Sequence, residues 1–255
     1  MRNIWIICRK ELGSYFVSRV AYLLLTMFAL IFGFFFWNAL GVFIIEGMEM
    51  QMRGQSFPMN INEQIIRPLL LNTSFLALFF VPMITMRLFA EEKRNGTIEL
   101  LATSPVRDIE VILGKWLAAT ILYIWLLVYA GINFAFLFAY GHPDWKPLLV
   151  GYLGLLLQAA ALLALGTFIS TLTKNQIIAG AATFGIILLF WVFSWVSSYD
   201  SSTWAQVLSY LSVPGHYESF GRGVLSLKDA VYYVSFIFLG LFFTARSMES
   251  LRWRS

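Results

Sequence analysis

The sequence predicts an all-α integral membrane protein with six transmembrane helices. Hydrophobic residues make up 59% of its 255 residues and charged residues only 13%, about half the share that is typical of a soluble domain. Six stretches reach the length of about 20 apolar residues that a helix needs to cross a bilayer. Backbone polar groups in hydrocarbon must be satisfied internally, so these stretches are predicted to be helices. We expect a single membrane domain over residues 1–255, since no long polar segment remains for a soluble domain.

The first element, residues 1–19, is predicted to be an interfacial helix. Its apolar residues recur at three- and four-residue spacing from Trp5 to Phe16, and basic residues lie between them. Such a helix lies along the lipid headgroups with its basic side chains toward anionic lipid. The alternative is a charged leader that only orients the first span. No cleavage site of small residues follows at the distance of a signal peptide, so the first span is expected to stay in the protein.

Hydropathy places the six spans in order along the chain. They are predicted at residues 20–45, 69–90, 112–140, 148–172, 177–198 and 229–246. Pro82 removes a backbone donor from the second span and is expected to kink it. Small residues at four-residue spacing predict close helix packing, within one subunit or between two copies. These pairs are Ala160/Ala164, Gly166/Ser170 and Ala179/Thr183.

The three loops on the outer side of these spans differ in character. The first, 46–68, is polar, and the second, 141–147, is predicted to be a tight turn because it contains two prolines and a glycine. The third, 199–228, is predicted to hold two short apolar helices with a break at 214–215, a Pro-Gly pair. These two helices either dip back into the membrane against the bundle or cover the outer surface.

Basic residues are divided unevenly between the two sides of the spans. With the N-terminus in the cytosol, 13 of the 18 lysines and arginines lie on the cytosolic side and 5 lie outside. This bias fits the positive-inside rule, and six spans return the C-terminus to the cytosol. The net charge is +4, but its basic residues lie near span ends, so no nucleic-acid partner is expected.

Several functional classes lack the residues that they need. The sequence has no phosphate-binding P-loop, no zinc-protease motif and no serine-hydrolase motif, so no catalytic, cofactor or metal site is expected. Cys8 stands alone, and His142 and His216 lie in different outer loops, where they are expected to be solvated or packed. Between the span ends the sequence shows amides but no ionisable residue, which argues against coupling to protons or sodium.

The amides inside the spans have two interpretations. They either form hydrogen bonds between helices or bind a substrate. A substrate pathway would place Asn72, Asn133 or aromatic side chains toward a cavity, whereas a protein that only anchors a partner needs no such lining. The aromatic side chains suit lipids or hydrophobic compounds, although contact with the bilayer explains them equally. The substrate cannot be read from these residues.

The most informative segment is the polar strip, residues 91–115, between the second and third spans. Four charged residues begin it and an Asn-Gly turn follows. Thr97 can then cap a short helix, which Pro105 ends. Leu100 and Leu101 give that helix an apolar face, so it can dock in a groove on a soluble partner. The alternative is an ordinary solvated loop.

Two segments carry a resemblance to a known family. The pattern E-x-x-x-G-T-I-E-L-L-x-x-x-P at 92–105 resembles the segment after the second span in permease subunits of type-2 ATP-binding-cassette (ABC) exporters. The segment SVPGHYESFGRGVLSLKDAVYY at 212–233 is similar to the outer segment before their last span, particularly in permeases of gliding-motility and copper-loading systems. The chain end, 245–254, is of the same kind, so the resemblance extends over the whole chain.

The resemblance implies a partner, a mechanism and a location. In that family the strip forms a coupling helix that sits in a separate nucleotide-binding ATPase, which binds ATP and magnesium, and two permeases and two ATPases form a complex. The second permease is then an identical or a related chain, and periplasmic or accessory proteins can join it in the bacterial inner membrane. The translocation route is expected between the two permeases, nearest the second and fifth spans, with Asn72 and Asn133 as pathway candidates. The expected ATPase-coupling residues are Glu91, Glu92, Gly96, Thr97, Glu99, Leu100, Leu101 and Pro105.

Two other functions stay open at this point. One is a membrane anchor or scaffold that recruits a cytosolic protein without moving a substrate. The other is a self-sufficient channel or secondary carrier, which the absence of ionisable residues within the spans weakens.

Overall fold

The computed structural model describes residues 2–54, 60–97, 106–199 and 203–252, and the regular elements in these ranges are helices. In chain order they are α1 (Arg2–Val17), α2 (Val20–Met52), α3 (Arg67–Thr85), α4 (Ala90–Asn95), α5 (Asp108–Tyr140), α6 (Trp145–Leu172), α7 (Gln176–Tyr199), α8 (Thr203–Leu211), α9 (Val213–Gly221) and α10 (Leu227–Arg252). A π-helical turn, Asn62–Ile66, leads directly into α3. Six helical segments are long and apolar enough to cross a membrane, which confirms the predicted all-α membrane fold.

The first two spans differ from their predicted bounds. α2 continues to Met52 and helical structure resumes at Asn62, so most of the predicted outer loop 46–68 is helical. Polarity alone suggested a loop there, but residues 46–52 hold no proline and several good helix formers. α3 ends at Thr85, soon after its internal Pro82, and residues 86–89 form an elbow of turns before α4.

α6 is the central helix of the bundle, packed against α3, α5, α7, α9 and α10. Glycines let its neighbours approach closely. A Cβ atom on Gly166 would lie 2.3 Å from Thr85 Oγ1 of α3, and one on Gly240 of α10 would lie 2.9 Å from the backbone of Ala164. Two of the predicted small-residue pairs, those containing Ala164 and Gly166, therefore pack helices within one subunit.

α1 is a helix, as predicted, and it lies firmly against α5. A Cβ atom on Gly114 of α5 would lie 2.8 Å from Ile7 Cβ, so glycine is needed for this close approach. Arg19 has φ of 61°, a left-handed conformation that turns the chain sharply from α1 into α2. α1, which the sequence predicts to be interfacial, therefore packs on the bundle at the end where the chain begins.

The two short helices before α10 form, with one difference from the expected break. The chain turns at Ser212, whose Oγ accepts a hydrogen bond from the N–H of Gly215 at 3.2 Å. Pro214 lies in the first turn of α9, where a helix needs no N–H donor, so the Pro-Gly pair begins the second helix instead of separating the two.

The two short helices also differ in burial. α8 carries exposed apolar side chains, with Trp204 80% exposed, and it packs mainly on α7. α9 buries Tyr217 and Phe220 against α6, beside Gly151 and Gly154. α9 is therefore the segment that enters the bundle and α8 is the one that covers it.

Candidate functional site

The described part of the polar strip folds as α4 and a closing turn. Glu91 and Glu92 lie in the first turn of α4. Gly96 ends the helix with φ of +72°, a left-handed conformation that glycine adopts without steric cost. The N–H of Thr97 donates to the carbonyl oxygen of Glu92 at 3.0 Å and completes the cap. The short helix predicted to follow falls at 98–105, outside the described residues, together with Glu99, Leu100, Leu101 and Pro105.

Lys115 of α5 lies buried beneath α4, with only 2% of its surface exposed. Its Nζ contacts Glu11 Oε1 at 3.0 Å, Glu92 Oε1 at 2.9 Å and the carbonyl oxygen of Leu88 at 2.8 Å. An ammonium group has three N–H donors, so these three acceptors use all of them. The Phe89 ring adds a cation–π contact, with its centroid 5.2 Å from Nζ. Lys115, Glu11 and Glu92, called here the Lys115 node, thus join α5, α1 and α4.

The node corrects one sequence expectation. The sequence predicts that the charges of the strip 91–115, which ends at Lys115, face a cytosolic partner. Lys115 instead lies about two turns inside α5 and is buried. Its burial is possible because two carboxylates and a carbonyl oxygen replace the water that a lysine normally needs.

Arg87 fixes the elbow to α1. Its guanidinium donates to Glu91 Oε2 at 3.1 Å and to Ser18 Oγ at 2.7 Å, and it lies over the Tyr15 ring, 5.1 Å from the centroid. The Tyr15 hydroxyl donates in turn to the carbonyl oxygen of Ile84 at 2.6 Å. Burial raises the pKa of Tyr15 far above its usual value, so this hydroxyl remains a donor.

α6 holds the same elbow from the opposite side. Ser170 Oγ accepts hydrogen bonds from the N–H groups of Phe89 at 3.0 Å and Ala90 at 3.1 Å, so it caps the start of α4. Lys93 Nζ donates to the carbonyl oxygen of Thr171 at the end of α6. α4 is therefore tied to α1, α5 and α6 at once, and a displacement of α4 acts on all three helices.

A cavity of about 460 Å³ lies between α1 and α4, beside the node. Charged side chains of both signs line it, among them Lys10, Glu11, Arg87, Glu91 and Glu92. Glu92 Oε2 is buried and has no hydrogen-bond partner among the described residues. Those residues contain no group of three or more His, Cys, Asp or Glu side chains that could hold a metal ion.

The two pathway candidates are half-buried and lie on separate helices. Asn133 of α5 donates to the carbonyl oxygen of Tyr129 on its own helix at 3.0 Å, and Asn72 lies on α3. Gln158 of α6 joins two helices, because its Oε1 accepts from Ser74 Oγ of α3 at 2.8 Å within the core. Of the two interpretations of the amides, hydrogen bonding between helices therefore holds for Gln158.

An aromatic face lies where α3 meets α7. The rings of Phe75 and Trp191 pack edge to face with centroids 5.2 Å apart, and those of Phe79 and Phe184 are 5.6 Å apart. Trp195 continues the cluster from Trp191 at 6.3 Å. Phe75 and Phe79 remain more than one third exposed, so this α3–α7 aromatic face borders the lipid or another chain.

Comparison with known proteins identifies the family. The family model described as ABC-2 family transporter protein matches residues 5–235, from the start of α1 into α10. No protein of curated function matches the sequence significantly.

Proposed function

The chain belongs to the ABC-2 family of transporter proteins, and from that premise we propose that it is the permease subunit of an ABC exporter driven by a separate ATPase. The observation that carries the proposal is the fastening of α4 to α1, α5 and α6 through Lys115, Arg87 and Ser170. A solvated loop does not need such anchoring. A segment that transmits the movement of a partner does need it, because a loosely attached segment would move without displacing the neighbouring helices.

The proposed mechanism starts at residues 91–105 on the cytosolic side. ATP and magnesium bind to the partner ATPase, and closure of its nucleotide sites moves this segment. The displacement passes through Glu92 to Lys115 and so to α1 and α5, and through Ser170 to α6. A bias between two permease states arises only if the ATPase binds one of them more tightly than the other. Glu92 Oε2, which has no partner among the residues that the structure describes, offers an acceptor for a donor that arrives with the ATPase.

A second permease copy, identical or related, is the other proposed partner. α2 and α7 are the spans with the least burial within one chain, which supports their use against lipid or another subunit. The translocation route is proposed between the two copies, next to α3 and α7, where the aromatic face lies and Asn72 is half-buried. The proposed location of the complex is the bacterial inner membrane, as the family resemblance implies, with both termini of this chain in the cytosol.

Replacing Gly96 with alanine tests the coupling role. A left-handed conformation costs a residue with a Cβ about 1–2 kcal/mol, so the Gly96→Ala cap distorts the segment that follows it. We expect stimulation of the partner ATPase by the permease to fall about fivefold or more, as measured with the purified complex. Glu99→Gln should weaken assembly with the ATPase by removing a charge from the predicted contact.

Gly54→Ala is the matched control for that experiment. Gly54 has φ of +66° and, like Gly96, has no atom of the described residues within 4 Å of an added Cβ, but it lies at the opposite end of the bundle. ATPase stimulation should be unchanged in Gly54→Ala. Unchanged assembly and unchanged stimulated hydrolysis in both Gly96→Ala and Glu99→Gln would show that the strip is not the coupling element.

Transport itself separates a permease from an anchor. An anchor would bind the ATPase but would give no ATP-dependent movement of compounds across vesicles that contain the complex. A channel or carrier would move them without the ATPase. A permease needs both the partner and hydrolysable ATP.

A further inference from the structure

His216 of α9 is buried, and both of its ring nitrogens face hydrogen-bond acceptors. Nδ1 lies 2.6 Å from Asp229 Oδ1 of α10, and Nε2 lies 2.8 Å from the carbonyl oxygen of Tyr210 of α8. A carbonyl oxygen only accepts, and so does an ionised carboxylate. A neutral imidazole has one N–H group and can donate only one of these bonds. Both bonds therefore exist together only when His216 and Asp229 share one additional proton. Imidazole is the stronger base of the two, so that proton makes His216 an imidazolium.

The surroundings of His216 suit an imidazolium ion. The Tyr232 ring stacks on it with centroids 3.8 Å apart and an angle of 19° between the planes, and the Tyr210 ring meets it edge to face at 5.2 Å. Aromatic faces attract cations. Asp229 is the opposite charge, and both members of the ion pair are largely withdrawn from solvent.

We propose that His216 is a proton-operated latch that ties α8 to α9 and α10. With the proton present, the ring bonds to Tyr210 and Asp229 at once and holds the last turn of α8 in place. Without this proton, one ring nitrogen directs a lone pair at an acceptor, so one hydrogen bond is replaced by repulsion. The bond to the ionised Asp229 is the stronger of the two, so the bond to Tyr210 is the one lost. The latch is closed at lower pH and opens as the pH rises.

The charged and titratable groups that face His216 come from α8 and α10. From α8 comes Tyr210, whose ring also lies under Lys228 Nζ, 5.0 Å from its centroid. From α10 come Asp229, Tyr232 and Tyr233. The tyrosines are uncharged near neutral pH. On α9 itself, Glu218 pairs with Arg222 at the surface, away from the ring. Among these groups, Asp229 is the carboxylate that contacts the His216 ring.

Opening the latch removes the bond from His216 to α8, while α8 keeps its packing on α7. α9 remains buried against α3, α6 and α7, and the hydroxyl of Tyr233 still donates to the carbonyl oxygen of Val213 at 2.8 Å. α8 keeps contacts with α10, among them the bond from the Tyr232 hydroxyl to the carbonyl oxygen of Leu211 at 2.8 Å and the Lys228 ammonium over the Tyr210 ring. The protonation state of one residue therefore sets the mobility of the cover at this end of the bundle, whether or not an ATPase is bound.

The chain offers a direct test because it has only two histidines. In His142→Asn, labelled with ¹⁵N in histidine, every imidazole signal belongs to His216. The protein is placed in bilayer discs of phosphatidylethanolamine and phosphatidylglycerol and titrated, and hydrogen exchange of residues 203–211 is followed in parallel. Exchange rates are corrected for the intrinsic effect of pH, with α6 amides as the internal reference. We expect both ring nitrogens to carry hydrogen while α8 is protected, and loss of one hydrogen and of protection over the same pH range.

Two substitutions separate a latch from simple packing. His216→Phe keeps a stacked ring but removes both bonds, so exchange of α8 should be about tenfold faster or more and independent of pH, the factor expected for loss of a hydrogen bond to a charged group. Asp229→Asn removes the charge that holds the proton, so α8 should open at lower pH. The unsubstituted protein should match His142→Asn in the exchange of α8.

Two results would overturn the proposal. One is a single protonated ring nitrogen throughout the range in which α8 is protected. The other is a pH response of α8 that persists in His216→Phe. If His216→Phe does not fold, the nitrogen titration of His142→Asn still decides the question.

Discussion

Replacing Lys115 with methionine is expected to lower the free energy of unfolding by about 3–5 kcal/mol. The substitution keeps most of the side-chain volume but removes the ammonium that Glu11 and Glu92 share. Two largely buried carboxylates are then left together without a cation, and the carbonyl oxygen of Leu88 loses its donor. Each unpaired buried group carries its own desolvation cost, which makes this loss larger than that of an exposed ion pair.

The measurement is unfolding in mixed micelles, with Lys10→Met as the matched control. Lys10 also lies near Glu11, at 3.7 Å, but its side chain is 70% exposed, so its loss should change stability by less than about 0.5 kcal/mol. The variant that combines Lys115→Met with Glu11→Gln and Glu92→Gln should recover part of the loss, because the orphaned charges are removed as well. Equal stability of Lys115→Met and Lys10→Met would mean that Lys115 does not hold the two carboxylates.

The sequence predicts the spans because their signals are local. A run of apolar residues specifies a membrane helix wherever it occurs, and the six predicted spans are present. Ser212 and Pro214 likewise mark the start of α9 through their own backbone chemistry, although a Pro-Gly pair was interpreted as a break. At the end of α2 the polarity of the sequence is misleading, because residues 46–52 are mostly good helix formers and continue the helix.

The Lys115 node could not be predicted because its members are distant in sequence. Glu11 and Lys115 are 104 residues apart, and a lysine two turns inside a span is normally expected to extend its ammonium toward the headgroups. Only the packing of α1 on α5 places a carboxylate beside it. Gly114 was the available signal, since a glycine one residue before a charged one in a membrane helix can mark the close approach of another backbone.

The prediction for His216 is confirmed in part. The sequence predicts that it is either solvated or packed, and the structure shows it packed, with Nδ1 at 2.6 Å from Asp229 Oδ1. The two residues are 13 positions apart, on two helices whose relative placement is a tertiary property. Asp229 lies in the first turn of the last span, where acidic residues are common. Its presence there therefore did not indicate that it contacts a histidine.

Replacing Gly154 with alanine is expected to displace α9 from α6 and to destabilise the protein by about 1–3 kcal/mol through overpacking. An added Cβ would lie 2.4 Å from Phe220 Cβ and 3.0 Å from the Tyr217 ring, so α9 must shift. Gly185→Ala makes the same change in α7, where no atom lies within 4 Å, and should be neutral or stabilising by up to about 1 kcal/mol. Unfolding measurements should therefore differ in sign between the two variants, and hydrogen exchange of residues 213–221 should increase only in Gly154→Ala. Equal stability, with α9 still protected in both, would refute the packing of α9 on α6.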